Sequence, residues 1–451
     1  AAVAAELPEY MRPTVWVTVP FLELNTAGKI DRKALPEPDF GVHTEDYVAP
    51  ASSTEETLAA IVAHLIGVER VSVTESFFAL GGDSIMSIQL ASAARAAGLD
   101  LSPREIFELR TIRAMAATAD NGAARLEMLE EGEPAGVGQV TVSPVVHWMI
   151  EHSQEPADFA DFVQAAVLLA PEDLDVEQMS ELLAAVVAAH PMLTATLIET
   201  KDGWQSVAGN GFDAAEAVIG VTSTAAIGTA GFDADLRAAF RTISATLDPA
   251  TGRLARAAVV RDPGGAGRVL VVIHHLGVDA VSWPVLIEDL VTGWAQLSTG
   301  RDIDLRAEQT SALAWTNALA ARTDSWSGQV GHWLDRLPAR PTSLGVELDR
   351  DRDRMSTERL VSVEIDADVT AAVLTSVPEA FGGNVNDVLL GAFARAVRSW
   401  QTHREVADTA PVTVLTEGHG RYEEVLATGP SPRRADLSRS VGWFTTLVPV
   451  S

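Results

Sequence analysis

Two periodicities divide this chain into elements. Apolar residues recurring every three to four positions mark helices, and short apolar or alternating runs mark strands. Leu58, Ile61, Val62 and Leu65 make one helical stripe. Ser53 with Glu56 three residues later has the pattern of a capping box at its start, and Gly67 suits its end. A second helix is expected from about Ser84 to Ala97, stopped by Gly98. A third, short one opens on another capping box, Ser102-Pro103-Arg104-Glu105. Further on, the pattern predicts helices near 175–189 and 233–246, with strands near 163–169, 193–199, 254–260 and 268–273. His190-Pro191 ends the first of these helices. The run Val269 to Ile273 reads as a buried strand, and Val285 to Leu290 as an amphipathic helix after it. A long apolar helix is expected from Asn384 to Trp400, and a strand from Pro411 to Leu415. Near the start, Thr14 to Val19 alternates like a strand.

Two stretches interrupt this order. Residues 37–52 are rich in proline, and 121–140 are acidic and glycine-rich; both read as linkers. They leave a short first segment (1–36), a helical segment (53–120) and a mixed α/β segment from 141 to the end. A length of 451 residues fits about three domains. An apolar fraction of 47% suffices for real cores. Composition narrows the partners: 62 acidic against 33 basic residues give a formal charge of −29, which argues against nucleic acid and against an anionic membrane. The absence of cysteine leaves no thiol nucleophile and no disulfide framework. Any thiol chemistry must come from an attached group. No apolar run reaches bilayer length, and the first residues lack the basic start of a signal peptide, so a cytoplasmic fragment of a larger polypeptide is expected.

Three stretches carry candidate chemistry. The first is Ile273-His274-His275-Leu276-Gly277-Val278-Asp279-Ala280-Val281-Ser282-Trp283, two histidines at a strand end with an acid four residues on. A lone buried histidine is usually a satisfied core residue; the density of polar and aromatic positions here favours a site. His275 and Asp279 stand at i,i+4, but no third ligand lies nearby, so no metal is expected. The second is Phe77-Phe78-Ala79-Leu80-Gly81-Gly82-Asp83-Ser84-Ile85, a tight turn that brings Ser84 to a helix N-terminus, where free N–H groups favour a phosphate. Taken alone, Ser84 would read as an N-cap. The third is Thr416-Glu417-Gly418-His419-Gly420-Arg421, directly after the expected strand, where two glycines permit a sharp turn that presents Glu417. His147, in Val142 to Met149, reads as structural.

Together these stretches resemble a nonribosomal peptide synthetase fragment. HHxxxDxxSW over His274–Trp283 resembles the core motif of epimerization domains, a branch of the condensation-domain superfamily. Ala280 stands where the family usually has glycine, and Pro284 where a basic residue is common. Val142–Met149, Asn384–Leu390, Glu417–Arg421 and Ser440–Thr445 resemble further motifs of that branch. Gly81-Gly82-Asp83-Ser84 resembles the attachment motif of a peptidyl carrier protein. GGDS, rather than GGHS, is the form that tends to precede epimerization domains. Leu7–Pro13 and Gly28–Pro36 resemble the last two motifs of adenylation domains, with Lys29 as the lysine that contacts the acyl-adenylate and Ala27 where asparagine is more common.

The fold implied is multidomain. It has a small α+β adenylation tail (1–36), a four-helix-bundle carrier protein (53–120) and a two-lobed α/β condensation-like, chloramphenicol-acetyltransferase-like epimerization domain (141–451). The first lobe would cover about 141–310 and a partial second lobe about 311–451, C-terminally incomplete. No ATP site can be built from the tail. The cofactor implied is 4'-phosphopantetheine covalently on Ser84. The partners implied are an upstream adenylation domain in cis, a downstream condensation domain, a phosphopantetheinyl transferase and an aminoacyl or peptidyl thioester. The activity implied is inversion of the thioester's α-carbon, an isomerase reaction. It needs a base, an acid on the other face and shelter from water. His275 from the first lobe and Glu417 from the second are the implied acid–base pair across a tunnel between lobes, with His274, Asp279, Ser282, Trp283 and Asn386 in support. Asp279 is expected to be an ion-pair partner that shapes its loop. Peptide-bond formation on the same fold is the competing activity, and a catalytically inactive docking domain a third.

Overall fold

The computed structural model describes residues 47–450, apart from 79, 83, 100, 121–125, 154–155, 338–348, 350, 354–356, 358, 375, 382–384, 405–411 and 429–430. The adenylation-like segment with Lys29, and most of the 37–52 stretch, lie outside the described residues. The chain forms two compact units, one of residues 48–330 with 416–448, the other including 331–415.

In the first unit, helices α1 (Ser53–Ile66), α2 (Ser84–Ala96), α3 (Pro103–Leu109) and α4 (Ile112–Asp120) enclose a core that includes Leu58, Val62, Phe77, Leu90, Ile106 and Met115. Each such side chain withdrawn from water contributes roughly 1.5–3 kcal/mol. Ser52, not Ser53, caps α1: its hydroxyl accepts the Glu55 N–H at 3.1 Å, and Glu55 accepts the Ala51 N–H at 2.6 Å. The serine pair offers two registers for the same cap. The one adopted buries Glu55 against Arg113, whose Nε donates to it at 3.1 Å. The box at Ser102 and Glu105 forms as the spacing predicts, and Gly67 ends α1 in the left-handed region at φ 79°. Before α2, a Cβ at Gly82 would lie 2.5 Å from the Phe77 ring, so only glycine lets the loop lie flat on that ring.

The α/β part follows the strand and helix pattern closely. Strands β2 (Val163–Ala170), β5 (Val218–Thr222), β6 (Ala255–Arg261) and β7 (Gly267–His274) form one sheet in the order β2-β7-β6-β5, antiparallel except for the parallel pair β5 and β6. The central strands β6 and β7 are buried almost throughout, which their continuous apolar runs require. Alternation sorts their side chains. Ala257, Val259, Val269, Val271 and Ile273 pack with α6 (Val176–Ala189) and α8 (Ser282–Leu297). Ala258, Val260, Leu270 and Val272 pack with α7 (Ala230–Ser244). The remaining helix of this order, α5 (Pro144–Glu151), leaves His147 exposed. A second sheet joins β1 (Gly138–Val140), β4 (Gly203–Ala208) and β3 (Thr196–Thr200) in the order β1-β4-β3.

Two expectations change. The acidic stretch before β1 is no free linker from residue 126 onward. Leu129 N–H donates to the Arg434 carbonyl at 2.7 Å, and Glu131 accepts both the N–H and hydroxyl of Ser311, at 2.6 and 2.8 Å, where helix α9 (Ala312–Ala320) begins. Composition saw the charge but not its buried-end partner. The split near residue 310 also differs. Residues 416–448, expected in the second lobe, belong to the same compact unit as the His-His loop. Their arginines are clamped onto buried acids of α8 and its loop, as described below. Strand β8 (Val414–Gly418) pairs with β9 (Thr446–Val450) and begins three residues later than the Pro411 start expected. The other unit carries helices over Ala367–Leu374, Ser376–Phe381 and Val385–His403. Among the described residues no helix is long and apolar enough to cross a membrane.

Candidate active site

Strand β7 delivers both histidines, and their neighbours give them different roles. His274 is wholly buried. Its Nε2 donates to the Phe159 carbonyl at 2.7 Å, and its Nδ1 accepts the Leu276 N–H at 3.1 Å. Both ring nitrogens are used to fix the backbone turn. Burial pushes its pKa down to about 4, so it stays neutral. It is a structural histidine.

His275 faces a different environment. Its ring stacks on Phe162 at 4.8 Å with an interplanar angle of 11°, and Trp443 lies against it at 4.5 Å. The proton position follows from a relay of partners. Trp283 Nε1 can only donate, and it donates to Gln164 Oε1 at 2.7 Å. That turns the Gln164 amide nitrogen toward His275 Nε2, 2.8 Å away. His275 Nε2 is therefore the acceptor, and the ring proton sits on Nδ1, which is buried without a hydrogen-bond partner. Burial holds the imidazole below its ordinary pKa, against backbone carbonyls and the negative charges of Asp279 and Glu417, which act to raise it. A neutral imidazole between two aromatic rings is a base that need not shed a proton first.

Asp279 does not face a substrate. It is buried and accepts the Arg421 guanidinium through both oxygens, at 2.7 and 3.0 Å. It also accepts the Ser282 N–H at 2.9 Å, the Ser282 hydroxyl at 2.8 Å and the Phe444 N–H at 3.1 Å. Arg421 stacks over the Phe444 ring at 4.1 Å. The Asp279 carboxylate thus joins three segments: the His loop, the start of α8 and the chain around 421 and 444. Gly420 makes this closure sterically feasible. It adopts φ 68°, and a Cβ there would stand 1.6 Å from the Phe444 carbonyl oxygen.

A second buried cluster holds the same region from the other side. His190 donates from Nδ1 to Glu308 and from Nε2 to Asp289, both at 2.7 Å. Two donating nitrogens make it an imidazolium. Burial opposes the charge on both sides and pushes the Glu308 carboxyl up as well, but the two acids prevail on His190 and lift its pKa to about 9. Arg439 reaches Asp289 with one nitrogen and Glu288, at 2.8 Å, with the other, and Val441 N–H donates to Glu308 at 2.9 Å. Trp443 is thereby anchored from both directions, two residues from Val441 and one from Phe444.

Glu417 lies exposed on β8. Its negative charge acts to raise the His275 pKa, and both residues belong to one compact unit. Ser282 is buried at the start of α8, and Trp283 acts through Gln164. Asn386 sits exposed on the first turn of the Val385–His403 helix, in the other unit. Gln164, Phe162 and Trp443 surround His275, and residue type alone does not single them out. Arg421 and Trp443 stood inside quoted motifs; Gln164 was visible only as the polar member of an apolar strand. Among the described residues no group of three His, Cys, Asp or Glu side chains is placed to hold a metal ion.

This geometry meets its family here. The condensation domain model matches residues 138–451, and the phosphopantetheine attachment site model matches 56–119. The chain belongs to the condensation domain family and carries a phosphopantetheine-binding domain ahead of it. A linear gramicidin synthase polypeptide of Brevibacillus parabrevis is 34% identical over 447 residues, covering 98% of this chain and 8% of that protein. Chondramide synthase cmdD of Chondromyces crocatus is 34% identical over 457 residues, covering 99% of this chain and 11% of that protein. The chain thus spans a small part of either synthase. Among solved structures, the epimerization domain from the third module of tyrocidine synthetase B superposes with TM-score 0.55 at 22% identity, over 72% of this chain and 69% of that one. The X-domain in complex with OxyB from teicoplanin biosynthesis gives TM-score 0.51 at 17% identity, over 73% and 68%. These likenesses establish the fold.

The attachment-site match means a 4'-phosphopantetheine carried covalently on a serine. The loop before α2 fits such a group. Gly82 lies flat on Phe77, and α2 opens at Ser84 with the free N–H groups of a helix start.

Proposed function

We propose that the chain epimerizes, from L to D, the α-carbon of an aminoacyl or peptidyl thioester held on its own carrier domain. The observation that carries this reading is His275: a neutral imidazole stacked on Phe162 with Trp443 tilted against it, its Nε2 accepting from Gln164. A neutral imidazole and a carboxylate acting together suit removal of a proton from one face and return to the other. His275 holds or moves the proton at Nε2, once Gln164 releases that atom. Glu417 serves as its counterpart, and Asp279 with Arg421 keeps the loop between them in register. Ser84 carries the phosphopantetheine, which supplies the thioester link and the reach to the site. An upstream adenylation domain loads that arm, a phosphopantetheinyl transferase installs it, and a downstream condensation domain takes the product. The Ser282-Trp283 pair and the glutamate of Glu417–Arg421 favour inversion over the peptide-bond formation that the family name alone would suggest.

The test uses the full chain, loaded at Ser84 with an L-aminoacyl pantetheine arm and placed in deuterated solvent. Deuterium should enter the α-position as a D/L mixture forms. His275→Gln and Glu417→Gln should each slow both by at least about 10²-fold. Loading that persists in Ser84→Ala would remove the serine assignment. Peptide-bond formation with an added acceptor, without inversion, would establish the condensing activity instead.

A further inference from the structure

One ion-pair cluster in the first unit joins the carrier helices to the condensation-like domain. Arg95, near the end of α2, donates to Glu423 at 2.6 and 3.2 Å and to Asp436 at 2.6 Å. The three side chains are nearly dry, with 7% exposure for the arginine and 9% for each acid. The acids are themselves positioned: Leu437 N–H donates to Glu423 at 2.8 Å, and Ser438 donates to Asp436 from its N–H at 3.1 Å and from its hydroxyl at 2.5 Å. Among the described residues, Arg95 is the one cation paired with either acid. Arg104 of α3, paired with Glu108 on its own helix, also senses the charge of Glu424. Arg95 of the carrier thus sits in an acidic corner made of Glu423 and Asp436, with Glu424 next to Glu423 along the chain.

We propose that this corner is the docking surface for the carrier domain, with Arg95 as the latch that seats it. The proposal rests on the carrier and condensation assignments and names the surface by which the two meet. Its logic is electrostatic. Without Arg95, two neighbouring carboxylates would stand at the surface with no paired cation; with it, one guanidinium satisfies both and water is expelled. A buried charge pair of this kind governs residence and selectivity, because a carrier lacking the arginine leaves the acids desolvated and unpaired. The acidic corner also adjoins the site along the chain. Glu423 is two residues from Arg421, and Asp436 is three from Arg439, the arginines bound to Asp279 and Asp289.

The test compares a substrate that needs docking with one that does not. Full-length chain carries the L-aminoacyl arm at Ser84; separately, unloaded chain receives the same acyl group as a free pantetheine thioester. Deuterium uptake at the α-carbon is read for both. Arg95→Glu should slow the tethered substrate at least roughly tenfold, the scale of one lost charge pair, and leave the free thioester at the wild-type rate. Restoring opposite charge with Arg95→Glu/Glu423→Arg should recover much of the tethered rate. Continued loading of Arg95→Glu with the pantetheine arm, by intact mass, shows that its carrier is folded. An unslowed tethered substrate, or equal slowing of both substrates, overturns the latch. Contact is read without activity from Arg95→Lys. The wild-type chain has only Lys29, Lys33 and Lys201, so a zero-length carbodiimide should give one new isopeptide, between position 95 and Glu423 or Asp436. Its absence from the peptide map overturns the docking surface. If the wild type exchanges neither substrate, the epimerization reading has failed, and the cross-link alone decides the docking.

Discussion

The charged state of His190 makes a prediction that pH can test. Its ring donates to two buried carboxylates, Asp289 and Glu308, so folding holds a proton there that the unfolded chain would release near neutrality. Arg439, also on Asp289, is the other cation of the cluster, and Glu288 its exposed outer acid. The sign follows from linkage. The folded pKa, about 9, lies above the unfolded value near 6.5. The stabilisation is therefore complete below about pH 6.5 and is lost as pH rises toward 9. A shift of that size corresponds to about 3 kcal/mol, at about 1.36 kcal/mol per pH unit. The perturbation is His190→Gln, which keeps hydrogen-bonding capacity and removes the titration. The assay is the melting temperature of the first unit, followed by tryptophan fluorescence at pH 6.5 and pH 9.5 in both proteins. Subtracting the variant cancels the other histidines. The wild type should lose roughly 6 °C or more beyond what the variant loses across this window, at about 2 °C per kcal/mol for a domain of this size. Parallel pH profiles in the two proteins would refute the imidazolium.

Two further outcomes follow from the site. Asp279→Asn leaves the buried Arg421 guanidinium without its counter-charge and should destabilise the unit by roughly 3–5 kcal/mol, seen as a lowered urea midpoint; a loss under about 1 kcal/mol would mean the clamp is not structural. Gln164→Leu removes the donor that favours the neutral form of His275, so the imidazole pKa should rise; an unchanged His275 titration, read from its ring carbon resonance, would show that the Trp283–Gln164 relay does not set the ring's state.

Much of this arrangement was legible in order and spacing. The run Val269–Ile273 gave the central strand, Gly67 and Gly98 gave helix ends, and the Ser102–Glu105 box formed as its spacing required. These signals are local: a cap, a period or a left-handed glycine is decided within one turn of chain. The Ser52–Ser53 pair shows where local rules run short, because both registers satisfy the box and a distant arginine, Arg113, chooses between them. The same limit explains the boundary near residue 310. Residues 416–448 carry no composition that assigns them to either unit. What assigns them is Arg421 on Asp279 and Arg439 on Asp289, contacts across 142 and 150 residues. Gln164 was illegible for a related reason: a glutamine in an apolar strand acquires meaning only when register sets it beside Ile273, next to His275.

The two arginine clamps also explain why one histidine of the pair can remain reactive while its surroundings are rigid. The loop from His274 to Trp283 is held by His274 on Phe159, by Asp279 on Arg421 and by Ser282 at the head of α8. Each of these groups spends its hydrogen-bonding capacity within the protein, and none needs to change charge near neutral pH. His275 differs in that Nε2 accepts a single neutral amide hydrogen bond and Nδ1 none with protein. An imidazole bound by a carboxylate, as His190 is, would be held protonated and could not accept a proton. The difference between His190 and His275 is thus a difference of partners, two acids against one amide and two aromatic faces. That difference places the fixed charge in the scaffold and leaves the neutral ring at the site.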